Sequence, residues 1–273
     1  MGKHVTYPTW NSLYKKFEKR EAVGVEPTAG NWPIYFLRRN RKGEFTDFKG
    51  EIIEWEIKDP SEVDFTGKEL TIVRSTLNKL TAKKKKIAKY YAGLPTSNWS
   101  MVAGKLISAY QLSPPLAARL LSALQLGISD TLCVVWHYKY LWDVARPIQL
   151  DPSLKTVICT PRFPSYVSGH AAVACCANTI LSHFFPHEAE KLHGIAEEDA
   201  ASRLFAGVHF HADNEEGVKL GTQIGEFVVS SLNYQKITVE VQKSNKHANL
   251  STHYASPLDD CQHCESVLDR HIK

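Results

Sequence analysis

SPPLAARLLSALQLGISDTLCVVWHYKYLWDV, residues 113–144, reads as one long helix. Ser113 can cap its start, and Pro114 and Pro115 suit a first turn, where a missing amide hydrogen loses no bond. Leu116, Leu120, Leu121, Leu124, Ile128, Leu132, Val135 and Trp136 recur mostly at steps of three and four, which lays one apolar face along a helix. Gly127 is the point at which a bend is expected.

The same periodicity continues on both sides. Helices are predicted over residues 70–93 and 97–110, then, after a loop carrying Pro147, Pro152, Pro161 and Pro164, over 168–184, 188–207 and 214–232. Near the start, Ile53, Trp55 and Ile57 alternate with Glu54 and Glu56, the pattern of a half-buried strand. The expected fold class is all-α. A helical catalytic domain over 76–235 is preceded by an irregular arm over 1–75 that holds a short strand or hairpin, and followed by a polar tail over 236–273.

Bulk properties narrow the function classes. A chain of 273 residues with 43% hydrophobic and 23% charged residues can bury a core, and its net charge of +4 is spread along its length. No nucleic-acid partner is expected, and Lys83 to Lys86 read as the solvated face of a helix. No stretch has the build of a signal peptide and no apolar run reaches the length of a bilayer span, so the expectation is a cytoplasmic protein without a membrane partner. Cys133, Cys159, Cys175 and Cys176 sit among apolar residues as small core side chains, and Cys261 and Cys264 form a lone C-x-x-C pair, a weak metal or redox signal.

Three clusters carry chemistry. Lys139 and Arg146 are seven apart at the end of the long helix, nearly on one face and roughly 10 Å apart along its axis, so both can reach one anion. Pro164-Ser165-Tyr166-Val167-Ser168-Gly169-His170 leads from a loop into an apolar helix, whose free amides and dipole attract anions. Ser168 can cap that helix, Gly169 lets the backbone come close, and His170 projects from the first turn. Arg203 and His209, six apart, cannot face one anion from a continuous helix, so Gly207 between them is expected to end one helix and His209 to lie on the next turn. Asp213, four beyond His209, is placed to orient its imidazole. His183, His187, His193 and His211 are read as surface residues without partners.

In this order and at these spacings the clusters resemble the signature of the type 2 phosphatidic acid phosphatase (PAP2) superfamily and the vanadium-dependent haloperoxidases, in the form of a soluble bacterial haloperoxidase-like branch. The resemblance runs from about residue 87 to 227 and takes in Ala92-Gly93-Leu94-Pro95 with Trp99 and Gly207-Val208-His209-Phe210. It implies a cofactor, vanadate, or phosphate in the same site. Lys139, Arg146 and Arg203 would hold its equatorial oxygens, with Ser168 and the Gly169 amide adding hydrogen bonds. His209 would bond the vanadium or attack phosphorus, His170 would be the acid/base at the opposite apical position, and Asp213 would fix the His209 tautomer. Trp136 and Phe163 stand at the offsets of an aromatic pair that lines an apolar pocket in the chloroperoxidases. The activity implied is oxidation of halide by hydrogen peroxide; the alternatives are a phosphatase acting on phosphate monoesters through a phosphohistidine and an inactive oxyanion-binding relative. Halide and peroxide, or a phosphate ester, would be the partners, and a homo-oligomer is allowed. The chain is much shorter than the large haloperoxidases and has no obvious second bundle.

Overall fold

The long helix forms as read. In the computed structural model, which describes residues 5–18, 22–235 and 248–250, Pro114 opens a helix that runs unbroken to Trp142. Cys261 and Cys264 lie outside the described residues. Gly127 marks an approach rather than a bend: a Cβ there would lie 2.6 Å from Ile180 Cδ1. The helix ends where Asp143 turns left-handed at φ 52°. Nine α-helices occur among the described residues: α1 (Trp10–Glu18), α2 (Leu70–Asn78), α3 (Ala82–Tyr90), α4 (Pro95–Ala109), α5 (Pro114–Trp142), α6 (Pro147–Leu150), α7 (Gly169–Phe184), α8 (Ala189–Phe205) and α9 (His211–Tyr234). The fold is an all-α bundle. By length and composition α5 could cross a membrane, contrary to the expectation that no segment could, and 56% of its apolar window is buried within the protein.

Two other expectations are corrected. The helix predicted over 70–93 is two, because Thr81 is extended and its hydroxyl accepts from the Lys84 amide at 3.2 Å, so a new helix starts there. The alternation at Ile53, Trp55 and Ile57 is real in burial, yet the segment is no strand. Beyond Ile53, whose amide donates to the Phe45 carbonyl at 3.0 Å, its backbone pairs with side chains of α9: the Glu56 amide donates to Gln223 Oε1 (3.2 Å), Gln223 Nε2 to the Glu54 carbonyl (2.8 Å), and the Lys58 amide to Glu216 Oε2 (3.0 Å). The hairpin lies earlier, where β1 (Arg38–Arg39) runs antiparallel to β2 (Phe45–Thr46). This arm is anchored on α5 by buried Asp130, whose carboxylate accepts from the amides of Tyr35, Phe36 and Leu37 at 2.8, 2.7 and 3.1 Å.

Helices α7 and α9 touch backbone to backbone. Gly217, Gly221 and Gly225 recur every four residues along one face of α9. A Cβ on Gly217 would lie 2.6 Å from the Ser168 carbonyl oxygen, one on Gly221 2.0 Å from that of Ala172, and one on Gly225 2.6 Å from Thr179 Cβ. The facing stretch of α7 is correspondingly small: Ala171, Ala172, Cys175 and Cys176 are all buried.

Gly221→Ala should therefore destabilise the protein by about 1–3 kcal/mol, the usual cost of overpacking. Gly104→Ala, in the middle of α4 with nothing within 4 Å of the added Cβ, should be neutral or stabilising by up to about 1 kcal/mol. Calorimetric melting temperatures check the pair; equal effects in the two variants would contradict the contact.

Candidate functional site

The α7–α9 contact brings the second and third clusters together. Ser168 caps α7, and its amide donates to the Asp213 carbonyl at 2.9 Å. Arg203 lies in the last turn of α8, and Gly207 at φ 76° reverses the chain so that His209 arrives just before α9. Asp213, in the first turn of α9, accepts from the Phe210 amide at 3.1 Å and so caps the helix while facing His209.

Arg146 is placed differently from the expectation. It is not on α5 beside Lys139. Asp143 ends that helix, Val144 bridges to Thr9, the Ala145 amide donates to Pro8, and Arg146 is extended at the start of α6. The N-terminal segment thus pulls residues 143–146 off the helical path. Lys139 and Arg146 still converge, because both reach the loop before α7: Lys139 Nζ donates to the carbonyls of Pro164 (2.9 Å) and Ser165 (2.6 Å), and Arg146 Nε to that of Phe163 (2.9 Å). Arg146 Nη1 also donates to the Val208 carbonyl at 2.7 Å, and Arg203 Nη1 to that of Tyr91 at 2.8 Å.

All three cations are buried, at 0–1% exposure. Backbone carbonyls use only part of their donor capacity: Arg146 Nη2 and Arg203 Nε are buried without a partner. Burial and the neighbouring Arg146 push Lys139 well below its ordinary pKa; burial brings Arg146 to about 9 and Arg203 to about 10, which leaves both guanidinium groups charged at neutral pH. Unpaired buried donors on charged groups are costly unless an anion completes them. This donor set fits a tetrahedral oxyanion.

His209 is buried, with Nδ1 2.7 Å from Asp213 Oδ2 and Nε2 3.0 Å from Arg146 Nη1. A guanidinium can only donate, so Nε2 carries the lone pair and Nδ1 the proton. Burial first, then Arg146, Lys139, Arg203 and His170, hold the imidazole well below its usual pKa. Burial raises Asp213 to about 6, opposed by a hydrogen bond from Ser165 and by Lys139 and Arg146. His170 donates from Nε2 to the Gly93 carbonyl at 3.0 Å and is likewise held well below its usual pKa, by burial and then Arg203. A neutral ring that donates from Nε2 keeps Nδ1 as a base. A Cβ on Gly169 would meet only ordinary contacts, Trp136 Cζ3 and Val135 Cγ1 at 3.8 Å, so the chain's own packing does not demand glycine there.

Trp136 and Phe163 do meet, ring centroids 4.9 Å apart, and the Phe163 ring lies over Lys139 Nζ (5.2 Å) and Arg146 Cζ (4.9 Å). Trp136 Nε1 and the Tyr140 hydroxyl both donate to the Val25 carbonyl, so the N-terminal arm covers this pair. His193 and His211 are exposed as expected but do have partners, Glu197 at 3.3 Å and Glu215 at 3.5 Å. Sequence reasoning missed Ser165, whose hydroxyl donates to Asp213 Oδ2, and Asp199, a buried carboxylate bonded to Trp99 Nε1 and raised to about 7 by burial. Ser165 was legible as a polar residue inside the second cluster. Asp199, one turn before Arg203, gave no signal beyond that spacing.

The depressed pKa of His209 has a direct readout. In nitrogen-15 NMR of the ligand-free protein, its imidazole should remain the neutral Nδ1–H form as pH falls from 8 to 6, because proton uptake moves below the ordinary value of about 6.5. A titration centred at or above 6.5 would contradict the geometry.

Residues 117–237 match the family model described as the PAP2 superfamily. Among solved structures, a bacterial vanadium-dependent iodoperoxidase superposes with a TM-score of 0.61 at 23% identity, over 76% of this chain and 57% of that one. The holo form of a bacterial vanadium-dependent chloroperoxidase superposes with a TM-score of 0.62 at 13% identity, over 79% of this chain and 56% of that one. The chain thus spans little more than half the length of either, and at these identities the likeness is one of fold. None of the curated proteins compared with it matches. Residues 117–237, the stretch that matches the PAP2 superfamily, hold most of α5, all of α6 to α9 and every cation and histidine of the site.

Proposed function

We propose that this protein is a vanadium-dependent haloperoxidase-like enzyme that binds vanadate, or phosphate in its place, and oxidises halide with hydrogen peroxide. The oxyanion reading rests on the two buried, unpaired guanidinium nitrogens, Arg146 Nη2 and Arg203 Nε, in the cluster around His209. Lys139, Arg146, Arg203, Ser168 and the Gly169 amide would hold the oxyanion, and His209 Nε2 would bond its central atom. Vanadate, when bound, supplies a Lewis acid that activates peroxide toward attack by halide.

The chain's own residues then have distinct tasks. Asp213 keeps the proton of His209 on Nδ1, which leaves Nε2 unprotonated. Lys139, Arg146 and Arg203 offset negative charge on the oxyanion. His170, neutral with Nδ1 unprotonated, is suited to take a proton from incoming peroxide. The Trp136–Phe163 pair forms an apolar wall over two of the cations, where a halide can shed water.

A second reading, a phosphomonoesterase, is favoured by the unprotonated Nε2 of His209, whose lone pair, on leaving its hydrogen bond with Arg146, can attack phosphorus to form a phosphohistidine. In that chemistry His170 must first protonate the leaving oxygen, a task for which its lowered pKa suits it less. The Trp136–Phe163 wall beside Lys139 and Arg146 is what ranks peroxide chemistry first.

Protein freed of phosphate and loaded with orthovanadate should brominate in the presence of bromide and peroxide, while the vanadate-free form hydrolyses an aryl phosphate slowly. His209→Ala should abolish both activities, and His170→Ala should slow turnover by about 10²–10⁴ while vanadate binding persists. Trp136→Ala or Phe163→Ala should reduce halide oxidation more than ester hydrolysis. Ester hydrolysis without bromination would select the second reading, and tight vanadate binding with neither activity would leave an oxyanion-binding relative.

A further inference from the structure

Ser165 joins three parts of the site through three of its atoms. Its amide donates to the Val144 carbonyl at 2.9 Å, which ties it to the chain leaving α5. Its carbonyl accepts from Lys139 Nζ at 2.6 Å. Its hydroxyl donates to Asp213 Oδ2 and stands 3.5 Å from His209 Nδ1, too far to compete with the 2.7 Å bond between that nitrogen and Asp213. Ser165 is fully buried, so water cannot replace these contacts.

We propose that Ser165 is a positioning residue: its hydroxyl holds Asp213 as the carboxylate that keeps the His209 proton on Nδ1 and presents Nε2 unprotonated to the oxyanion. The proposal rests on reading His209 as the oxyanion-binding residue. Asp213 Oδ2 receives three donors, the Ser165 hydroxyl, His209 Nδ1 and the Phe210 amide, whereas Oδ1 receives none. The Ser165 hydroxyl and the Phe210 amide both donate to Oδ2, and two such hydrogen bonds make that oxygen a weaker base for the proton it shares with His209. Ser165 therefore biases the shared proton toward His209. Without the hydroxyl, Oδ2 loses one of the donors that oppose the effect of burial, and the Asp213–His209 proton can redistribute. Through its carbonyl the same residue places Lys139, so the dyad and one oxyanion cation are set by a single side chain and its own backbone.

Two readouts on Ser165→Ala separate positioning from mere packing. Nitrogen-15 NMR of His209 at pH 7, without ligand, should show only the Nδ1–H tautomer in the parent and an Nε2–H population in the variant. The affinity for orthovanadate, measured calorimetrically, should fall about ten- to a hundredfold, as expected for a lost hydrogen bond to a charged group. Ser165→Cys, of similar volume but a weaker donor, should fall between the two, and it replaces the alanine variant if that fails to fold. A variant with parental His209 resonances and parental orthovanadate affinity would overturn the proposal. If the parent itself binds no vanadate, the oxyanion reading fails, while the ligand-free spectra still decide the role of Ser165.

Discussion

Backbone contact between α7 and α9 is the constraint on which the site depends. Three glycines at four-residue intervals remove the side chains that would separate the helices, and the Ser168 carbonyl then lies against Gly217. The same closeness lets the Ser168 amide reach the Asp213 carbonyl. The start of α7, with its free amides and His170, and the start of α9, with Asp213, are thereby brought together. Any side chain larger than hydrogen on that face of α9 would move the imidazole of His209 relative to the α7 amides.

Electrostatics then shapes the site. Lys139, Arg146 and Arg203 are taken out of water together, a costly arrangement that the carbonyls of Phe163, Pro164, Ser165, Val208 and Tyr91 offset only in part. Those carbonyls also aim the cations, since each bond consumes a donor on one side and leaves others unpaired. Burial first, and then the same cluster, lowers the pKa of both histidines. Positive charge thus leaves unpaired donors suited to an oxyanion and helps burial to keep the imidazoles neutral.

The N-terminal segment takes part in the site although it holds none of its charged groups. It pairs with residues 144–145 and so draws Arg146 off the end of α5, and its Val25 carbonyl ties down Trp136 and Tyr140. Asp130 fastens it to the middle of α5 through three amides. The position of Arg146 and the aromatic wall are therefore properties of the arm as much as of the bundle.

The amino-acid sequence alone determined the helical class and most of the charged groups that gather around His209. The apolar steps along residues 113–144 dictate a buried helix, Gly207 dictates a chain reversal between Arg203 and His209, and the four-residue interval to Asp213 places a carboxylate on the imidazole. These are local effects, set by helix geometry and by glycine's access to positive φ. Only the tertiary structure decided the rest. Nothing within residues 139–146 shows that Arg146 leaves the helix, because the cause is pairing with Pro8 and Thr9 far away in the chain. The alternation at 53–57 gave burial correctly but not a strand, because beyond Ile53 its hydrogen bonds go to side chains of α9. The glycine spacing on α9 is visible in the sequence, yet the surface it meets is not. Ser165 reads as one more polar residue until Asp213 and Lys139 are brought to it, since a side chain's role in a buried network is fixed by partners distant in sequence.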